Sequence, residues 1–256
     1  MTISNLLIHP LCVGLFGGPA DIDPPPAPGS PPSTYRSAMF MFLVTGGDAP
    51  VLIDTGPLDS TAARVRQNRI LEQPPELRPD AVLGAHGIDP RDITTVINTH
   101  LHWDHCAYND LFPNAKIYVQ RSEVAYAVDP LEQHRVFYDK IPGVTPPWLR
   151  SWSQIETVDG DTRLTDDISL LWLPGHSPGS QGVLVHTAGG DYLVAGDTVN
   201  STADWVGDES HRHFPPSLTT SLLDWNSSME RIEQLGCAVI PSHDLALLDQ
   251  PSFGRP

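Results

Sequence analysis

The chain has 256 residues and a formal net charge of −16 at pH 7, which is enough material for one domain with a sizeable core. The strong negative charge argues against nucleic acid as a partner, because phosphates would be repelled. No apolar run reaches the roughly 18 residues of a membrane span. Residues 1–19 also lack the basic start and apolar core of a secretory signal.

The cysteine content favours a reducing compartment. Cys12, Cys106 and Cys237 form no CxxC pair or other spaced set, so we expect free thiols and a cytoplasmic location rather than a disulfide framework. A small molecule is then the expected partner, without nucleic acid or membrane. The sequence leaves a homodimer open.

The first half of the chain predicts a hairpin followed by alternating elements. A proline-rich stretch at residues 17–35, with Pro24-Pro25-Pro26 at its centre, forbids regular structure. It is either a surface arm or a loop over a site. Hydrophobic patterning then predicts strands at 38–44 and 51–53, helices at 61–71 and 80–86, strands at 92–98 and 116–120, and a helix at 121–128.

The second half repeats the strand-rich pattern. It predicts strands at 168–173, 182–186, 192–195 and 238–240, a turn at 174–179 and a helix at 224–235. Strands that alternate with helices in two halves indicate a layered α/β sandwich. We expect residues 1–256 to form a single domain.

The segment His100-Leu101-His102-Trp103-Asp104-His105 places four metal-capable side chains directly after a predicted strand. Such a cluster is costly to desolvate without a cation to coordinate. His176, Asp197 and His243 each follow another predicted strand. One histidine after a strand is usually structural. Residues at several strand ends can nevertheless converge on one site.

As a set, these motifs resemble the metallo-β-lactamase-fold hydrolases, and the resemblance implies an αββα four-layer sandwich. It is carried between residues 38 and 244 by Asp54-Thr55-Gly56, the HxHxDH segment, Pro174-Gly175-His176-Ser177-Pro178-Gly179, Gly196-Asp197-Thr198 and Ser242-His243. Within that fold, the ligand set is similar to that of the N-acyl-homoserine lactonases and of glyoxalase II.

The resemblance implies two divalent metal ions. One would be held by His100, His102 and His176, the other by Asp104, His105 and His243, and Asp197 would bridge them. Nitrogen and oxygen donors without thiolates favour zinc and leave manganese, iron or cobalt open. Asp54 either orients a ligand histidine from behind or caps a turn.

Two such ions, roughly 3.5–4 Å apart, can share a hydroxide that attacks an ester carbonyl. Asp104 would pass a proton to the leaving group, as the resemblance implies. We therefore predict a lactonase, with an N-acyl-homoserine lactone as the leading substrate class and quorum quenching as the expected role.

The alternative is a thioester hydrolase of the glyoxalase II kind or another carboxylic-ester hydrolase. We rank it lower because the chain stops soon after His243 with little basic character. A metal-bound domain without activity is a third hypothesis, which the full ligand set disfavours.

One position departs from the lactonase pattern. Those enzymes carry a tyrosine three residues after the bridging aspartate, and Asn200 stands there in this chain. Tyr35, Tyr108 or Tyr138 would have to supply a phenol from another loop. The residues expected to contact substrate are Asn200, Phe16, Tyr138 and Trp148, with Met39, Met41 and Trp152 as further candidates for an apolar wall.

Overall fold

The computed structural model describes residues 4–17 and 37–256. Apart from Gly17, the proline-rich stretch predicted at 17–35 lies outside the described residues. The strands are β1 (Leu7–Phe16), β2 (Ser37–Thr45), β3 (Val51–Ile53), β4 (Leu71–Glu72), β5 (Thr95–Ile97), β6 (Lys116–Gln120), β7 (Ile155–Val158), β8 (Thr162–Arg163), β9 (Ile168–Trp172), β10 (Gln181–Thr187), β11 (Gly190–Val194) and β12 (Ala238–Ile240). The helices are α1 (Ser60–Gln67), α2 (Pro79–Ala85), α3 (Arg121–Val128), α4 (Pro147–Arg150), α5 (Thr202–Val206) and α6 (Leu222–Leu235).

The strands form two mixed sheets. The first has the order β4-β1-β2-β3-β5-β6-β7, and the second has the order β12-β11-β10-β9-β8. In the first sheet, β3, β5, β6 and β7 run parallel, while β1 and β2 form an antiparallel pair. In the second sheet, only β12 runs parallel to its neighbour, β11.

Strand β2 shows how the layers pack. Its side chains alternate between the two faces of the sheet, as the period of two requires, and both faces are buried. Met39 and Met41 point into a core shared with α1 and α2, while Phe40 and Phe42 point toward the second sheet. On the far side of that second sheet, α6 packs through Trp225 and its apolar neighbours. The layers are therefore helix, sheet, sheet, helix, and the predicted αββα sandwich is confirmed.

Strand β1 was not predicted, and it differs from an ordinary central strand. It pairs with β2 along its length, and Pro10 lies opposite Phe42. A proline normally argues against a central strand, because it cannot donate to the ladder. Strand β4 pairs only with Leu15 and Phe16, so Pro10 faces no second strand among residues 4–17 and 37–256, and its missing donor costs little.

Element boundaries differ from the predictions by a few residues. The largest difference is the helix expected at 61–71. It ends at Gln67, because Asn68 adopts a left-handed conformation with φ of 50° and caps the helix; the chain then enters β4. The strand expected at 92–98 is shortened to Thr95–Ile97 by a turn at Pro90–Asp92. Across the described ranges, no helix has the length and apolar character that would take it through a bilayer.

The ends of several strands meet at one edge of the sandwich. Strands β3 and β5 run parallel, and the backbone N–H of Asp54 continues their ladder by donating to Ile97 O at 2.8 Å. The sheets are joined at the same edge, where Gln181 N donates to Thr99 O at 2.9 Å. Loops that leave β5, β9, β11 and β12 are thereby brought together.

Candidate metal centre

The structure brings all seven predicted metal ligands to this edge of the sandwich. Their nitrogen and oxygen atoms form three overlapping groups, and within each group the atoms lie within 4.8 Å of one another. The groups are His100, His102 and His176; His100, His105 and Asp197; and Asp104, His105 and His243. The residues come from four loops, which follow β5, β9, β11 and β12.

The first group is a triangle of imidazole nitrogens. Nε2 of His100 lies 2.9 Å from Nδ1 of His102 and 3.2 Å from Nε2 of His176. Nε2 of His176 lies 3.1 Å from Nδ1 of His102. Two nitrogens bound to one tetrahedral zinc ion at about 2.0–2.1 Å stand about 3.3 Å apart. The triangle therefore has nearly the size that a single ion needs.

The remaining ligands, Asp104, His105, Asp197 and His243, form the second group, which is gathered around Asp197. Its Oδ1 lies 3.1 Å from Nε2 of His105 and 3.0 Å from Nε2 of His243. Its Oδ2 faces the first group, 3.6 Å from Nε2 of His176. Asp104 Oδ2 lies 3.9 Å from Nε2 of both His105 and His243. The two oxygens of Asp197 thus face different groups, which is the arrangement expected of a bridging carboxylate.

Hydrogen bonds behind the rings fix the tautomers of four histidines. Nδ1 of His176 donates to Leu218 O at 2.8 Å, and Nδ1 of His243 donates to Ala38 O at 3.1 Å, because a carbonyl can only accept. Nδ1 of His105 donates to the carboxylate of Asp54 at 2.8 Å. With the proton on Nδ1, the neutral form of each ring directs the lone pair of Nε2 into the site.

His100 is fixed in the same way through Thr99. The Thr99 hydroxyl donates to Asp54 Oδ2 at 2.8 Å and therefore accepts from Nδ1 of His100 at 3.1 Å. The Nε2 lone pairs of His100 and His176 then face each other at 3.2 Å. Nε2 of His105 is buried and has no hydrogen-bond partner among the described residues. Such an arrangement is repulsive by itself and becomes favourable around a cation, so these residues fit divalent metal ions.

The two groups differ in their electrostatics. Burial, together with the neighbouring imidazoles, holds the pKa of His100 and of His102 well below the usual value. For His105, burial acts in the same direction, but the carboxylates of Asp197, Asp104 and Asp54 outweigh it and raise the pKa well above normal. Burial would raise the pKa of Asp197, yet His243 and His105 lower it well below normal. The second group is therefore a region of negative potential that favours positive charge.

A cavity of about 240 Å³ opens directly onto these ligands. Of the residues expected to contact substrate, Phe16, Asn200 and Met39 line it. Sequence reasoning did not identify its other walls, and hydrophobic pattern alone gave no signal for them. These further lining residues are Ser37, Arg69, Trp103, Phe137, Pro216, Ser217 and Leu218.

Tyr138 and Trp148, also expected to contact substrate, do not line this cavity. Both are buried in a core cluster against α3, and the Tyr138 hydroxyl donates to Glu123 at 2.9 Å. Met41 is likewise fully buried, and Trp152 is 56 % exposed. Tyr138 and Trp148 therefore close a core, and their sequence pattern could not separate that role from a pocket wall.

No phenol takes the place of Asn200 within the described part of the chain. Tyr108 lies at a separate cavity and donates to Gln73 at 2.9 Å, while Tyr138 is held by Glu123. Tyr35 lies outside the described residues. Asn200 itself lines the cavity, and its backbone carbonyl accepts a hydrogen bond from the backbone N–H of His243 at 2.9 Å.

Comparison with known proteins gives the same assignment at the level of the family. Residues 37–243 match the family model of the metallo-beta-lactamase superfamily. The N-acyl homoserine lactonase AttM of Azorhizobium caulinodans is 31 % identical over 228 residues, which cover 82 % of this chain and 83 % of the relative. The N-acyl homoserine lactonase AiiA of Bacillus thuringiensis subsp. kurstaki is 26 % identical over 201 residues, which cover 75 % of this chain and 76 % of AiiA.

Solved structures share the fold. An N-acyl homoserine lactone hydrolase with N-hexanoyl-L-homoserine bound at its catalytic metal center superposes with a TM-score of 0.70, 22 % identity and coverage of 96 % of this chain and 95 % of that chain. The dizinc quorum-quenching lactonase AidC gives a TM-score of 0.68, 18 % identity and coverage of 98 % and 91 %. Since the family model spans most of the chain and the layers and ligand loops agree with it, this chain belongs to the metallo-beta-lactamase superfamily.

Proposed function

We propose that this protein, a metal-dependent hydrolase of the superfamily, opens lactone rings at a centre of two divalent ions. The observation that carries the proposal is the carboxylate of Asp197, with one oxygen facing His105 and His243 and the other facing His176. Curated relatives that cover most of the chain are N-acyl homoserine lactonases. An N-acyl-homoserine lactone is therefore the leading substrate class, and quorum quenching is the proposed role.

The donor set indicates which ions to expect. His100, His102 and His176 would hold one ion, Asp104, His105 and His243 would hold the other, and Asp197 would contribute to both. Nitrogen and oxygen donors without a thiolate favour zinc, with cobalt, manganese and iron as alternatives. When bound, two such ions lower the pKa of a water molecule and polarise the ester carbonyl.

Asp104 is the residue that we propose moves the proton. Its side chain is 16 % exposed and lines the cavity, so it is open to substrate while it stays beside His105 and His243. During hydrolysis the carbon–oxygen bond of the ring breaks, and the leaving oxygen needs a proton. We assign Asp104 to take the proton released by the attacking water and to deliver it to that oxygen.

The remaining walls fit an acyl lactone. Phe16, Met39 and Leu218 provide apolar surface for an acyl chain. The amide group of Asn200 has no protein partner for its Nδ2 among the described residues, and its Oδ1 lies 3.5 Å from the Ser242 hydroxyl. Nδ2 is thus left to donate a hydrogen bond to a substrate carbonyl, in place of the phenol of related lactonases.

The test is a substrate panel with metal-loaded protein. Zinc-, cobalt- and manganese-loaded samples are assayed with N-acyl-homoserine lactones of several chain lengths, simple γ- and δ-lactones, and lactoylglutathione. We expect turnover of the acyl-homoserine lactones. If no lactone is opened in any metal form, the proposal is wrong. Faster turnover of lactoylglutathione than of every lactone would assign the site to thioesters instead.

The role of Asp104 has its own variant. In Asp104→Asn the amide cannot carry the proton, so we expect kcat to fall by about 10²–10⁴-fold. Asp92→Asn changes an exposed carboxylate outside the cavity and should leave kcat unchanged. Full activity of Asp104→Asn with both metal equivalents present would remove Asp104 from proton transfer and leave the hydrolase assignment intact.

A further inference from the structure

Glu123 is a fully buried carboxylate that no step of the proposed reaction uses. It lies in the first turn of α3 with 0 % of its surface exposed. A buried carboxylate is strongly destabilising unless its oxygens accept hydrogen bonds. No ion-pair partner of Glu123 occurs among residues 4–17 and 37–256. What it binds therefore indicates why it is there.

Two of the three donors to Glu123 come from segments that carry the first group of ligands. Oε1 accepts from the backbone N–H of Leu101, between His100 and His102, at 3.0 Å. Oε2 accepts from the hydroxyl of Ser177, the residue after His176, at 2.6 Å. One carboxylate thus joins the loop that follows β5 to the turn that follows β9.

The third donor is Tyr138, which also contacts a ligand ring directly. Its hydroxyl donates to Glu123 Oε1 at 2.9 Å. Its ring meets the ring of His102 edge-on, with centroids 4.6 Å apart and an interplanar angle of 73°.

Close backbone packing fixes the same geometry. A Cβ atom placed on Gly179 would lie 2.2 Å from the backbone nitrogen of Glu123. The turn that carries His176 therefore rests directly on the first turn of α3, and only glycine permits that approach. Helix α3, through Glu123, serves as the common support of both histidine segments.

The second group of ligands has different supports. His105 is held by Asp54, His243 by the carbonyl of Ala38, and Asp197 by the hydroxyl of Ser242 at 2.7 Å. We infer that Glu123 is a positioning residue for the first group alone, holding His100, His102 and His176 at the spacing of a single ion. The inference rests on the two-ion centre of the proposed function.

The experiment is a titration of the metal-free protein with Co²⁺, followed by its visible absorption. Glu123→Gln keeps the side-chain volume but replaces one accepting oxygen by an amide, so one histidine segment loses its hydrogen bond. We expect one of the two Co²⁺ equivalents to bind about 10–100-fold more weakly, as is typical when a partner behind a ligand is lost. The other equivalent should bind as in the parent protein.

Two further variants separate positioning from general destabilisation. Asp139→Asn removes another carboxylate of 0 % exposure, which binds Arg66 at 2.7 Å and Gln67 at 3.2 Å, and it should leave both Co²⁺ equivalents unchanged. Tyr138→Phe removes one donor to Glu123 but keeps the ring. It should weaken the same Co²⁺ equivalent, and its effect should not add to that of Glu123→Gln.

The inference is overturned if Glu123→Gln weakens the binding of both Co²⁺ equivalents equally, or of neither. The comparison is made with Asp139→Asn, provided that the two variants lose a similar amount of Tm. If Glu123→Gln does not fold, Ser177→Ala decides the matter, because it removes the bond to Oε2 and leaves the carboxylate in place. Selective loss of one equivalent supports the inference, and any other pattern contradicts it. Cobalt binding is measured without substrate, so a protein that opens no lactone would defeat the proposed function and leave this test valid.

Discussion

Asp54 lies directly behind the metal centre, although it is not among the ligands. It is 2 % exposed and adopts a positive φ of 58°, which turns the chain sharply at the end of β3. Its carboxylate accepts from the backbone N–H of Thr99 at 2.7 Å and from Nδ1 of His105 at 2.8 Å. The sequence left turn capping and histidine orientation open as alternatives, and the carboxylate contacts His105 and the distant Thr99 rather than the turn in which Asp54 lies.

Replacing Asp54 by asparagine should weaken both groups of ligands, because its carboxylate holds His105 directly and His100 through the Thr99 hydroxyl. Asparagine tolerates the left-handed conformation, but its amide cannot accept at every position the carboxylate serves, so the tautomer of His105 is no longer fixed. We expect about 10–100-fold weaker binding of both Co²⁺ equivalents, measured by titration. Asp139→Asn is a matched control, since Asp139 is also buried and has a φ of 52°. Equal Co²⁺ affinities in the two variants would contradict the prediction.

Among the elements, the turn that carries His176 depends on α6. Gly175 has a φ of +140°, and a Cβ atom there would lie 2.4 Å from Cα of Trp225 and 2.5 Å from its backbone nitrogen. The carbonyl of Gly175 accepts from Thr220 N at 2.7 Å and from the Thr220 hydroxyl at 2.8 Å. The outer helix thus sets the position of a metal ligand by direct backbone contact.

The substitution Gly175→Ala should therefore lower the free energy of unfolding. Backbone strain alone costs roughly 1–3 kcal/mol, and α6 must also move away from the turn, so we expect a loss of about 3 kcal/mol or more in the free energy of unfolding. Gly236→Ala is the control, because Gly236 has a φ of +64° but nothing lies within 4 Å of a Cβ there; it should cost about 1–2 kcal/mol. Denaturant unfolding of both variants measures the difference. Similar losses would show that α6 does not constrain the turn.

These elements show what the sequence could predict. The candidate ligands stood out because each follows an apolar strand, and β2 was identifiable because its apolar run is continuous. Strand β1 was missed because Pro10 argues against a strand. The proline is tolerated because β4 pairs only with the end of β1, at Leu15 and Phe16. Glu123 gave no signal either, because an acidic residue in the first turn of a helix is ordinarily an exposed partner of the helix dipole. Its role depends on contacts with residues far away in the chain.

At the scale of the whole molecule, the ligands come from both sheets. The loop after β5 belongs to the seven-stranded sheet, whereas the loops after β11 and β12 belong to the five-stranded sheet. Bound ions would therefore join the two sheets at one edge. The ions would also offset the negative charge of Asp104 and Asp197.

Removal of metal should accordingly lower the thermal stability. A ligand present at about 1,000 times its Kd contributes about 4 kcal/mol. For a domain of this size each kcal/mol corresponds to about 2–4 °C in Tm, so we expect chelation to lower Tm by about 8–16 °C per ion lost. Calorimetry of samples with measured metal content tests this, with readdition of zinc as the control. An unchanged Tm after verified removal would show that the ions do not join the sheets.

The hydrogen bonds at Nδ1 of four histidines have a consequence for the kinetics of metal uptake. Those rings lost their rotational freedom when the chain folded, so an arriving ion does not have to order them. The rate of capture should then depend on how readily the ion sheds its own water. Binding of Mg²⁺ is disfavoured for two reasons, because this ion dehydrates reluctantly and because it prefers oxygen donors to imidazole nitrogens. We therefore expect Mg²⁺ to be captured poorly even before any substrate is present.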